Sequence, residues 1–190
     1  MEAFGDVKGK EVLSNDGRYV GKLLDFTYGE GYRTDDIFVK VNKEVIDDLG
    51  EDKPLLKSLK LGISVEQIKA FTDKIILEKD LDALHIHVED VSEKKMISSL
   101  LGLELSGSEG NDVGKVEDIL IDTRSFGVFS LLVKTKKEIV DTLDLEKSML
   151  SKTRLGISMT HVTNIGDRIM LDASIEGMGR IIEEEPIKKV

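Results

Sequence analysis

The chain has 190 residues, 40% hydrophobic and 34% charged, with a net charge of −10 and no cysteine. This is a globular composition outside the regime of disorder, and no apolar run approaches the ~20 residues of a membrane-spanning helix. It excludes disulfides, thiolate metal sites and thiol nucleophiles, and the acidic balance weighs against a surface built to neutralise phosphates.

In chain order, the opening MEAFGDVKGKEV lacks the basic, apolar and small-residue order of a secretory signal, so a cytoplasmic protein is expected. The turn-forming Asn15-Asp-Gly17 then leads into Val20–Thr27, a hairpin signal, and Ile37–Val41 supplies the next strand. Pro54 suits a first helical position, and Leu55, Leu56 and Leu59 share a face behind it, which predicts a short helix. Ile75–Leu77 is the closing strand. Residues 79–95 are charge-rich apart from Leu84-His-Ile-His-Val88 and are expected to be a linker or an extra strand.

After that the pattern returns. At a shift of 93, Gly9-Lys-Glu-Val12 falls on Gly102-Leu-Glu-Leu105, and Val20-Gly-Lys22 with Asp25 falls on Val113-Gly-Lys115 with Asp118. One inserted residue after Ile121 raises the shift to 94. Leu61-Gly-Ile-Ser64 then meets Leu155-Gly-Ile-Ser158, and Asp73–Leu77 meets Asp167–Leu171. Agreement in several separated blocks with a single gap marks a tandem duplication. The second copy predicts its own hairpin after Ser108-Glu-Gly110, and a helix from Leu145, Met149 and Leu150. The expected fold is mainly β: two tandem small barrels over residues 1–78 and 96–190, each with one short helix. Residues 1–95 hold 15 basic and 21 acidic side chains, and residues 96–190 hold 12 and 16, so neither copy has a positive balance.

Candidate chemistry is sparse. Gly17-x-x-x-Gly21-Lys22 has three residues between its glycines where a phosphate loop needs four, and Leu23 or Val116 follows the lysine where that loop needs a hydroxyl. Gly17 and Gly110 instead suit positive φ in turns, and Gly21 and Gly114 suit close backbone packing or a bulge. His85, His87 and Glu89 would share a strand face, but the outer two would stand ~13 Å apart, too far to meet one ion. With no Gly-x-Ser-x-Gly, no cysteine and carboxylates spread as solvated charge, no catalytic residue, cofactor or metal is expected. Glu183-Glu-Glu185 is either a solvated tail or a recognition element for a basic partner. Strand alternation turns Phe38 toward water beside Lys40, and Leu132, Ile76 and Met170 stand at comparable positions. Strands apolar on both faces are usually covered on both, so these four are the candidate interface, between copies or between subunits.

The residues Lys8-Gly-Lys-Glu-Val12, Asp16-Gly17, Val20-Gly-Lys22 and Asp25 resemble the opening of the PRC-barrel domain. The second copy matches better, from Leu100-Leu-Gly102 through Val113-Gly-Lys-Val116 to Asp118 and Asp122. Ile165-Gly-Asp-Arg-Ile-Met-Leu171 is similar to the family's closing motif, from which Phe71-Thr-Asp-Lys-Ile-Ile-Leu77 departs by lacking the glycine. The resemblance covers nearly the whole chain except residues 79–95 and the last dozen or so. It implies a non-catalytic adaptor or scaffold, as in the reaction-centre H subunit and the ribosome maturation factor RimM. A tandem pair most resembles archaeal cell-division adaptors, whose partners are SepF-type anchors of the FtsZ ring or a PRC-barrel paralogue. Self-association into a dimer or polymer, no nucleic-acid binding, no direct membrane insertion and recruitment to the division site through partners are the accompanying expectations. The alternative is a ribosome-assembly or RNA-processing binding factor.

Overall fold

The computed structural model describes residues 1–41, 43–48, 60–84, 94–142, 154–178 and 182–183. Two compact units divide the chain: Glu2–Ser98 with Asp122–Gly127, and Ser99–Ile121 with Val128–Val190.

The first unit opens with strand β1 (Glu2–Ala3) and helix α1 (Phe4–Val7), whose Phe4 and Val7 are buried. Its sheet comprises β2 (Glu11–Leu13), β3 (Tyr19–Phe26), β4 (Asp36–Lys40), β5 (Lys60–Ser64), β6 (Ile68–Phe71) and β7 (Ile75–Leu77), in the order β5-β4-β3-β2-β7-β6. Only β2 and β7 run parallel. The β2–β3 turn forms because Gly17 takes φ +81, a region costly to residues with a Cβ. In β3 the register slips between Leu23 and Asp25. This bulge shifts the period-two alternation by one residue, so Phe26 is buried like Leu23. Asp25 sits at the slip, and its Oδ1 accepts the Phe26 amide at 2.9 Å. Val12, Val20, Leu23, Ile37, Val39, Leu61, Ile63 and Ile75 are fully buried. An aromatic chain adds to them: Phe4, Phe26, Phe71 and Phe126 follow one another at centroid separations of 6.1–6.3 Å.

The expected linker begins and ends inside this unit. Leu81 and Leu84 are buried, the Asn15 amide donates to the Lys79 carbonyl, and the Leu81 amide donates to Asp16 Oδ1. On the return, the Tyr28 amide donates to the Lys95 carbonyl, Thr27 bridges to Met96, and Lys94 pairs with Asp36 at 2.8 Å. Ser98 donates its amide and its hydroxyl to the Asp25 carboxylate. The unit therefore keeps residues through Ser98, a little beyond the expected boundary at 95–96.

In the second unit, β8 (Glu104–Ser106), β9 (Asp112–Asp122), β10 (Gly127–Thr135), β11 (Arg154–Ser158), β12 (Val162–Ile165), β13 (Arg168–Leu171) and β14 (Ile182–Glu183) run in the order β12-β13-β8-β9-β10-β11-β14. Apart from β14 this repeats the first sheet strand for strand, with β13 parallel to β8. Val116 and Ile119 are buried three residues apart, as Leu23 and Phe26 are, and Asp118 Oδ1 accepts the Ile119 amide at 2.9 Å. The difference between copies lies in the hairpin: β9 and β10 have eleven and nine residues against eight and five in β3 and β4. Its loop, Asp122–Gly127, is the segment that belongs to the first unit. There the Thr34 amide donates to the Phe126 carbonyl at 2.7 Å.

Helices α2 (Lys43–Asp48) and α3 (Lys137–Thr142) follow β4 and β10, burying Val45 with Ile46 and Ile139 with Val140. A short α4 (Ile175–Met178) follows β13. The helices expected around Pro54–Leu59 and Leu145–Leu150 lie outside the described residues, as do His85, His87 and Glu89.

Candidate interaction surfaces

Phe38 and Leu132, expected to face water, are instead only 1% and 4% exposed. Their cross-strand partners are Gly62 and Gly156. A glycine opposite leaves room for a large side chain to lie against the neighbouring backbone. The Lys94 ammonium also stands over the Phe38 ring at 5.9 Å. The expectation failed because alternation along one strand does not register what the rest of the chain places over it. Neither residue is available to a second subunit in this fold. Ile76 and Met170 are half-buried and remain accessible. The sequence reading did not single out the more exposed apolar residues, Tyr19 at 38%, Leu101 at 36% and Phe129 at 37%. For Phe129 the signal was available, since it stands out of phase in Val128-Phe-Ser-Leu131.

Gly21 and Gly114 sit where strands come too close for a side chain. A Cβ on Gly21 would lie 2.3 Å from the Lys40 carbonyl oxygen, and one on Gly114 would lie 2.3 Å from that of Lys134. Gly110, like Gly17, takes positive φ, at +80. These glycines are requirements of backbone geometry.

Around Gly114 lies a shallow groove of about 340 Å³ between Glu104, Asp112 and Lys115 on one side and Lys134 and Lys136 on the other. Most of its charges are arranged in pairs. Lys115 reaches Glu104 at 3.3 Å and Lys136 reaches Asp112 at 3.0 Å. Arg168 bonds Ser106 Oγ at 3.0 Å and stands 3.5 Å from Asp112 and 3.7 Å from Glu104. The Lys136 hydrogen bond, with the positive charges of Lys136 and Arg168, holds the Asp112 carboxyl below the usual carboxylate range. Cations thus outnumber carboxylates here, in a chain whose net charge is −10. At the matching place in the first unit, Lys74 pairs with Glu11 at 2.7 Å.

Little in this geometry is reactive. The closest approach to a dyad is His161 Nδ1, 3.1 Å from Asp172 Oδ1, and Asp172 is exposed. Among the described residues no group of three or more His, Asp or Glu converges on a point where a metal could sit, and no helix is long and apolar enough to cross a membrane. Paired charges on an open sheet face, around backbone glycines, make a surface suited to binding.

No curated protein matches this chain. A PRC-barrel domain is found over residues 93–177, which take in the second sheet from β8 through β13.

Proposed function

We propose that the protein is a non-catalytic adaptor or scaffold built from two PRC-type barrels. The observation that carries the reading is the strand order, which is the same in the first sheet as in the sheet of the PRC-barrel domain. A chain that presents one module twice offers two similar surfaces and can bring two partners together, or two copies of one. The groove and the exposed charged faces suit protein recognition better than catalysis, because their charges are spread along the sheet rather than facing a common reacting point.

The favoured setting is FtsZ-based division of the archaeal type, with a SepF-type anchor or a second PRC-barrel protein as partner and self-association through accessible apolar positions such as Ile76 and Met170. Affinity capture of the tagged chain from its native host, after cross-linking, tests this. Division-ring proteins are expected among the captured partners. Recovery of ribosomal proteins in their place would move the protein to ribosome assembly, and turnover of a small molecule by the purified chain would remove the adaptor reading.

A further inference from the structure

Both copies keep several exposed charges, Glu44 with Glu138 and Asp73 with Asp167 among them, and one set forms a continuous row across each sheet. In the first sheet, Glu11 faces Lys22 across the β2–β3 pair, Lys22 faces Lys40 across β3–β4, and Lys40 faces Lys60 across β4–β5. Lys74 joins the other end through its ion pair with Glu11. In the second sheet, Arg168 faces Glu104, Glu104 faces Lys115, and Lys134 faces Arg154. Gly114 meets the Lys134 carbonyl as Gly21 meets that of Lys40, which sets Lys115 beside Lys134. The rows therefore read Lys-Glu-Lys-Lys-Lys and Arg-Glu-Lys-Lys-Arg, position for position.

Directly opposed residues share a face and lie close together, and like charges placed so destabilise a sheet. Lys22, Lys40 and Lys60 are consecutive like charges on adjacent strands, all exposed, and Lys115 and Lys134 are exposed as well. The backbone explains the glycines next to the row, but it does not demand lysine at its exposed positions. The row differs from other exposed charges common to both copies, such as Glu44 with Glu138, in setting like charges on adjacent strands, an arrangement that costs the sheet stability. Adjacent strands set the cations ~4.8 Å apart, and in the second unit the row crosses the groove at Gly114.

We infer that each row is a docking site for an acidic, extended segment of a partner protein, two per chain. The inference rests on the adaptor reading and names the chemistry of the partner. Charge complementarity favours a short segment over a larger polyanion. At physiological salt a charge is felt over about 8 Å, so a few carboxylates on the row escape most of the chain's net −10. A membrane surface or a nucleic acid extends well past that distance and meets the repulsion of the whole acidic surface.

The test uses the full chain and a fluorescein-labelled octapeptide alternating aspartate with valine, followed by anisotropy at about 50 and about 150 mM salt. Two equivalents bound per chain are expected, with affinity falling as salt rises. Lys22→Glu with Lys40→Glu should abolish or weaken one equivalent by about tenfold, and Lys115→Glu with Lys134→Glu the other. The matching Gln variants cover the case in which a reversal fails to fold. Lys69→Glu with Lys79→Glu, an equal change of charge off the rows, should leave binding intact. Absence of binding at low salt, or equal loss in the off-row control, overturns the inference. Tighter binding to phosphatidylserine vesicles or to an RNA oligonucleotide overturns the choice of occupant. If the partner captured from the host is held equally well by the row variants, the rows fail while the adaptor reading stands. If no protein partner is captured although the peptide binds at the rows, the adaptor reading fails by itself.

Discussion

Three glycines of the PRC-barrel domain separate two reasons for having no side chain. At Gly114 an added Cβ would stand 2.3 Å from the Lys134 carbonyl oxygen and 3.0 Å from the Thr135 Cα, both of them backbone atoms. An ordinary contact needs about 1 Å more, and rigid backbone cannot swing aside as a side chain does, so β9 and β10 must part and strain their ladder. Overpacking of this kind costs about 1–3 kcal/mol, and the backbone obstacle places Gly114→Ala at the upper end of that range. At Gly110 nothing lies within 4 Å, but φ is +80, so Gly110→Ala should cost about 1–2 kcal/mol through backbone strain alone. Gly166 has neither feature, and the first copy carries Thr72 at the matching place, so Gly166→Ala should stay within about 0.5 kcal/mol of the parent. Urea unfolding of the three variants, with equal m-values required for comparison, gives the order directly. If Gly114→Ala is as stable as Gly166→Ala, the close approach of β9 and β10 is wrong, and so is the account of why both copies keep a glycine there.

Phe38→Asp should abolish the folded first unit rather than dissociate subunits, because the side chain is 1% exposed; loss of the cooperative transition in circular dichroism checks it. Asp25→Ala strands the amides of Phe26 and Ser98 and should cost about 2–3 kcal/mol, whereas Ser98→Ala should cost about 1 kcal/mol, both read from urea midpoints. The Ser14 hydrogen bond, helped by Arg18 and the Leu81 amide, lowers the Asp16 carboxyl. Its contribution is therefore complete above the unfolded value of about 4 and lost as pH falls through the lower folded value. Melting curves between about pH 5 and pH 2 should accordingly fall less steeply for Asp16→Asn, and parallel curves would contradict the assignment. Ile76→Asp with Met170→Asp should weaken self-association by about thirtyfold in sedimentation, since half-buried side chains recover about 1 kcal/mol each on burial.

The features readable in the sequence were those whose physics is local or repeated. Asn15-Asp-Gly17 and Ser108-Glu-Gly110 announce turns because positive φ is a property of one residue, and the duplication itself carried the closing strands Ile75–Leu77 and Arg168–Leu171 into place. What was not readable depends on several strands at once. The slip at Leu23–Asp25 inverts which residues of β3 face inward, and no count of apolar residues along Val20–Thr27 reveals it. The four residues proposed as an interface divide for the same reason: Phe38 and Leu132 are buried opposite glycines of another strand, a fact of register, while Ile76 and Met170 stay accessible. Helices α2 and α3 escaped notice because only two apolar residues in each, Val45 with Ile46 and Ile139 with Val140, mark their buried side.

The role of Asp25 and Asp118 shows how duplication separates structural residues from functional ones. Both carboxylates accept the amide of the next residue at 2.9 Å, so each copy needs an oxygen acceptor there whatever it binds. Gly21 and Gly114 follow the same logic through steric exclusion. Setting such positions aside leaves the exposed charges common to both halves, on helices α2 and α3 as Glu44 and Glu138 and along the charged rows. Glu11 with Lys74 and Glu104 with Arg168 are surface ion pairs, worth less than about 1 kcal/mol each. Opposed lysines such as Lys22 and Lys40 act against stability. Under the proposal their presence in both copies reflects a partner that bears on the row from outside the fold, and the positive charge of the row sets the sign of that partner's charge.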